Sequence, residues 1–72
     1  MIALKFLSDT PFDKFEGIYK LALDCYPGSD VVIALDESID PAHIRIEIYG
    51  YHTAEEIEAD LAKYSHWFEV VE

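Results

Sequence analysis

Twice along this chain an apolar, strand-like run leads straight into a helix start. Thr10-Pro11-Phe12-Asp13 and Thr53-Ala54-Glu55-Glu56 each set a threonine three residues ahead of a carboxylate. That spacing suits capping of the free N–H groups in a first helical turn. Before the first signal, Ile2 to Leu7 alternates Ile2, Leu4 and Phe6 on one face with Ala3, Lys5 and Leu7 on the other. Ser8-Asp9 forms the turn, Thr10 caps, and Pro11 takes the first helical position, where a missing N–H costs nothing. Phe15, Ile18, Tyr19, Ala22, Cys25 and Tyr26 then recur at three- and four-residue spacings, which draws one apolar stripe and places Cys25 on the packed side. Pro27-Gly28 ends the helix, the glycine accepting a reversed backbone.

The second half repeats this logic. Val31 to Leu35 is a continuous, largely β-branched run. Asp36 to Pro41 connects it to an alternating strand from His43 to Tyr51, with Ile44, Ile46 and Ile48 inward and Arg45, Glu47 and Tyr49 outward. Thr53 opens a helix that turns Ile57, Leu61 and Tyr64 to the core, and Trp67 to Val71 closes the chain as a strand.

Strand-helix-strand twice over, joined by a hairpin, packs as an α+β sandwich of the ferredoxin-like βαββαβ kind. Its sheet has four antiparallel strands, with both helices on one face. Right-handed crossovers put the first and third strands in the middle. Seventy-two residues suit one such domain, spanning 1–72. The uncovered face then carries Lys5, Leu7, Val32, Ala34, Arg45, Glu47, Tyr49, Trp67 and Val71. The second strand lies at an edge without a charge to discourage pairing.

Composition narrows the function. Fifteen acidic residues against five basic ones give a formal charge of −10, so a nucleic-acid partner is not expected, because phosphate binding needs clustered Lys and Arg. No apolar run approaches the roughly 18 residues of a membrane span, and Met1-Ile2-Ala3-Leu4 followed by Lys5 is not a signal peptide. A single cysteine excludes an internal disulfide and suits a cytoplasmic location. His43, His52 and His66 with Cys25 show no metal-ligand spacing, and Asp36, Glu37 and Asp40 lack the glycine and terminal glutamate of a calcium loop. No metal, cofactor or catalytic residue is expected.

The run Tyr26-Pro27-Gly28-Ser29-Asp30-Val31-Val32-Ile33-Ala34-Leu35 resembles the C-terminal segment of bacterial replicative DNA polymerase III alpha subunits. Ile44-Arg45-Ile46, the acidic run Ala54 to Leu61, and Phe68-Glu69-Val70-Val71 follow in the order of that segment. The resemblance implies a non-catalytic protein-contact module, in a family where this end of the polymerase meets the clamp loader.

The expectation is therefore a binding module that recognises another protein or a second copy of the chain through its open sheet face and the edge strand Val31 to Leu35. Leu7, Val32, Tyr49 and Trp67 would serve as desolvated anchors on the open face, with Lys5 and Arg45 fixing register by ion pairs. The alternative is an acidic mimic of DNA that blocks a nucleic-acid-binding protein. It would use Glu55, Glu56, Glu58 and Asp60 on the second helix with Asp36, Glu37 and Asp40 nearby.

Overall fold

The computed structural model describes residues 1–7, 9–37 and 43–72, apart from the side chain of Asp36. Along it run β1 (Ile2–Phe6), α1 (Phe12–Cys25), β2 (Val31–Asp36), β3 (His43–Ile48), α2 (Ala54–Asp60), a 3₁₀ helix (Ala62–Trp67) and β4 (Phe68–Val71). Ser8 of the first turn, and Ser38, Ile39, Asp40 and Pro41 of the expected hairpin connection, lie outside the described residues.

The strands hydrogen-bond in the order β2-β3-β1-β4, all neighbours antiparallel, so β1 and β3 are central. This is the ferredoxin-like arrangement expected from element order. Register sets the core. Leu4 pairs with Ile46, which pairs in turn with Ile33; Ile2 pairs with Ile48, which pairs with Val31. Ile18 and Ala22 of α1, Ile57 of α2 and Leu61 close over Leu4, Ile46 and Ile48, and all are essentially without solvent contact. At the other end of β1 the Phe6 ring meets Phe15 edge-on at 5.0 Å and Phe68 at 6.2 Å.

The two helix starts differ. At Thr53 the side chain accepts a hydrogen bond from the Glu56 N–H at 3.1 Å, as the spacing predicts. At the first, Pro11 itself occupies the cap position in extended conformation, and its carbonyl accepts from the N–H groups of Lys14 and Phe15. Thr10 makes no cap. Its hydroxyl donates to the Trp67 carbonyl at 3.3 Å, because β4 begins beside the end of β1 and brings that carbonyl within reach.

Other boundaries shift for local reasons. β1 stops at Phe6 and β3 at Ile48, short of Leu7 and Tyr51. β4 begins at Phe68, because Trp67 still belongs to the 3₁₀ helix. Gly28 is not in the left-handed region. Among the described residues that region holds Gly50 alone, at φ 136°. Cys25 is exposed rather than packed: α1 ends there, and Tyr26 fills the core beneath it.

α2 is not one helix running on to Tyr64. It ends at Asp60, and the Tyr64 N–H bonding the Leu61 carbonyl at 2.9 Å begins a tighter winding. Leu61, Tyr64 and Trp67 recur every third residue, which is the period of a 3₁₀ helix and keeps all three on one side. All three pack on the core.

Candidate protein-binding surface

The uncovered sheet face is built in rows fixed by strand register. Val32, Glu47, Ala3 and Val71 form one row; Ala34, Arg45, Lys5 and Glu69 form the next. Its centre therefore carries Glu47, Arg45 and Lys5, while its margins are apolar at Val32, Ala34 and Val71 and charged at Glu69. Glu47 is only 8% exposed despite its charge. Arg45 Nη2 approaches Glu47 Oε2 at 2.8 Å, and the Tyr49 hydroxyl donates to Glu47 Oε1 at 3.0 Å. The carboxylate beside it, through this hydrogen bond and then through its charge, pushes the Tyr49 phenol above its ordinary pKa.

The six residues expected to carry recognition are only partly brought together. Lys5, Val32, Arg45 and Tyr49 share the open face. Arg45 holds the Glu47 carboxylate of its own chain while its side chain stays 38% exposed. Leu7 is exposed just beyond β1, where it lines a shallow hollow of about 400 Å³ with Lys5, Asp9, His43 and Glu69. Trp67 is half-buried against the core and is not an exposed anchor. The winding of the 3₁₀ helix draws its ring inward.

The acidic residues divide. Glu55, Glu56, Glu58 and Asp60 are exposed on α2, which follows the Ile48 end of β3. Asp36 and Glu37 stand at the opposite end, where Asp36 pairs with His43, so about 17 Å of strand separates the two groups. The expected single acidic face is not formed by the described residues, and Asp40 lies outside them.

A further exposed apolar area lies along the β2 edge, the strand whose uncharged run leaves it open to pairing. Along β2, Val32 is 42%, Ile33 48% and Leu35 58% exposed, and Ile44 beside them on β3 is 40% exposed rather than buried. Ile33, Leu35 and Ile44 lie on the helix-covered side, yet the helical layer stops short of them. The reason is visible in α1. A Cβ on Gly17 would meet the Tyr64 hydroxyl at 2.9 Å, so that flank of α1 faces the 3₁₀ helix. Phe12, Tyr19 and Leu23 sit roughly 120–160° round the helix from Gly17 and turn toward β2. Phe12 and Leu23 are exposed there. Among the described residues β2 has a hydrogen-bonded neighbour on one side only. The signal for this was present in the uncharged run Val31 to Leu35: a strand apolar on both faces, placed at an edge, leaves one apolar face short of cover.

A second polar cluster joins the α1–β2 turn to the start of α2. Ser29 Oγ lies 2.7 Å from His52 Nε2, and His52 Nδ1 is 3.8 Å from Glu56 Oε2. The His52 ring sits 4.4 Å from that of Tyr26, whose hydroxyl donates to Asp60 at 2.7 Å. Burial first, then the hydrogen bond to Asp60 and its charge, drives the Tyr26 pKa far upward. Serine, imidazole and carboxylate stand here in the order of a nucleophile, base and orienting acid. The 3.8 Å to Glu56 is within ion-pair range but longer than a hydrogen bond. The cluster ties Pro27-Gly28-Ser29 to the β3–α2 connection. Sequence reasoning missed it, since Ser29 and His52 are 23 residues apart. Among the described residues no group of three or more His, Cys, Asp or Glu could hold a metal ion.

Family models, curated proteins and solved structures return no match to this chain. The surface must be read from its own geometry.

Proposed function

We propose that this chain is a non-catalytic protein-binding module that recognises another protein through its β2 edge and the adjoining open sheet face. One observation carries the reading: β2 is an edge strand with Val32, Ile33 and Leu35 all substantially exposed, so both of its faces offer apolar contact beside unpaired backbone groups. Tyr49 and Val32 supply contact area on the open side, with Arg45 on β3 and Lys5 on β1 its cationic groups. The resemblance of Tyr26–Leu35 to the polymerase III alpha C-terminal segment supports the same reading, because it implies a protein-contact role.

A cytoplasmic setting belongs to this proposal and is supported by the lone cysteine. Among the described residues no helix is long and apolar enough to cross a membrane. The rival reading, a mimic of DNA, needs one continuous row of carboxylates. The separation of the α2 acids from Glu37 favours edge-strand recognition instead.

The test is selection of random peptides displayed on phage against the immobilised chain, followed by mapping of amide shifts by nuclear magnetic resonance. Ligands should perturb β2, β3 and Tyr49. Enrichment of no ligand, or of ligands that shift only α2 and its carboxylates, overturns the proposal.

A further inference from the structure

We infer that the occupant of the β2 edge is an extended segment of another protein with an apolar stretch of five residues bounded at both ends by Lys or Arg. The inference rests on the binding role proposed above and adds the chemistry of the partner. β2 runs uncharged from Val31 to Leu35, with Asp30 before it and Asp36 and Glu37 after it. Asp30 and Glu37 are exposed. The backbone carbonyl of Asp30 accepts from the Tyr49 N–H at 2.9 Å, which fixes the start of the strand in place. A strand added outside β2 would have side chains alternating between Ile33 and Leu35 on the helical side and Val32 and Ala34 on the open side. On the helical side it would also meet the exposed flank of α1 at Phe12 and Leu23.

Charge selects between occupants. A second copy laid antiparallel so that the two apolar runs coincide, centred on Ile33, sets Asp30 of each copy opposite Asp36 of the other. Like charges directly opposite are destabilising, and here they occur at both ends, between bodies of formal charge −10 each. A foreign strand with cations six residues apart turns the same two positions into cross-strand ion pairs and gains from the field of the whole body. The acidic ends therefore disfavour self-pairing and favour a basic-flanked strand.

Two synthetic peptides separate these cases, Lys-Ile-Ala-Val-Ala-Ile-Lys and its Glu-flanked counterpart, each extended by Gly-Ser at both ends. Binding is followed by calorimetry and amide shifts, with light scattering of the chain alone. The Lys-flanked peptide should bind, with shifts confined to β2, β3 and the adjoining flank of α1, and should weaken as salt rises. The Glu-flanked peptide should bind at least about tenfold more weakly. Asp30→Lys changes an exposed side chain and should reduce or reverse that preference with the fold intact by circular dichroism. Equal binding of both peptides, or an unchanged preference in Asp30→Lys, overturns the partner chemistry while leaving edge recognition standing. So does a dimer in which the β2 amides are protected. Failure of both peptides, together with failure of the display selection to enrich any β2 ligand, removes edge recognition as well.

Discussion

Tyr26 offers the sharpest quantitative test of the packing, because one substitution produces effects of opposite sign at two pH values. Its ring is 5% exposed and its hydroxyl donates to Asp60 at 2.7 Å. In Tyr26→Phe the ring volume stays and the hydrogen bond goes. Asp60 is exposed and recovers water, so the loss at neutral pH should be about 1 kcal/mol rather than the larger cost of stranding a buried charge. Burial and the Asp60 carboxylate raise the Tyr26 pKa in the folded protein above the ordinary 10.0. The unfolded chain therefore loses this proton first as pH rises, and stability falls with pH once 10.0 is passed. At one pH unit above that value the wild-type chain should have lost about 1.4 kcal/mol through this residue alone. Phenylalanine loses nothing there. Urea denaturation followed by far-ultraviolet circular dichroism, from about pH 7 to about pH 11, should show the variant less stable at first and level with or above the wild type at the end. Tyr49 and Cys25 titrate in both proteins and cancel in the difference. A stability difference independent of pH would refute the buried, acid-bonded phenol.

Leu61 has no solvent exposure, and Leu61→Ala should cost about 2–5 kcal/mol out of the roughly 4–11 expected for 72 residues, so its urea midpoint should fall sharply. At Gly50 a Cβ would meet Ser29 Oγ at 2.7 Å on a φ of 136°, and Gly50→Ala should destabilise by about 1–3 kcal/mol in the same assay. Thr53→Ala should cost about 1 kcal/mol through the lost helix cap, and Thr10→Ala should leave α1 helicity by circular dichroism unchanged because Thr10 caps nothing. Cys25 is exposed, yet the partial cover of its thiol, followed by the carboxylates of Asp60 and Asp24, holds its pKa up. It should alkylate with iodoacetamide more slowly than free cysteine at neutral pH, and Asp60→Asn should speed the reaction.

How far sequence alone could reach depended on whether the deciding interaction was local. Element order and the Thr53 cap follow from periodicity and neighbours within four residues, the strand order follows from crossover handedness, and all are legible. The role of Thr10 was not, because its partner, the Trp67 carbonyl, is 57 residues away. Cys25 was misplaced because a stripe drawn through six residues does not reveal that Tyr26 alone fills the end of it. The open face was expected to be partly apolar, beside an edge strand open to pairing. Register instead puts Arg45 and Lys5 at its centre, with Glu47 within reach of Arg45, and Ile33, Leu35 and Ile44 on the other side are uncovered as well. How wide a helical layer is relative to its sheet depends on which flank of α1 meets Tyr64, and no single segment encodes that.

The passage from α2 into a 3₁₀ helix at Leu61 also limits how the chain can be edited. Six residues at a rise of about 2.0 Å travel about 3 Å farther than the same six at about 1.5 Å, and that reach delivers Phe68 to its place beside Phe6. The final strand inherits its phase from this count. One residue added or removed between 62 and 67 would turn β4 over, driving Glu69 toward the aromatic rings and Phe68 into water.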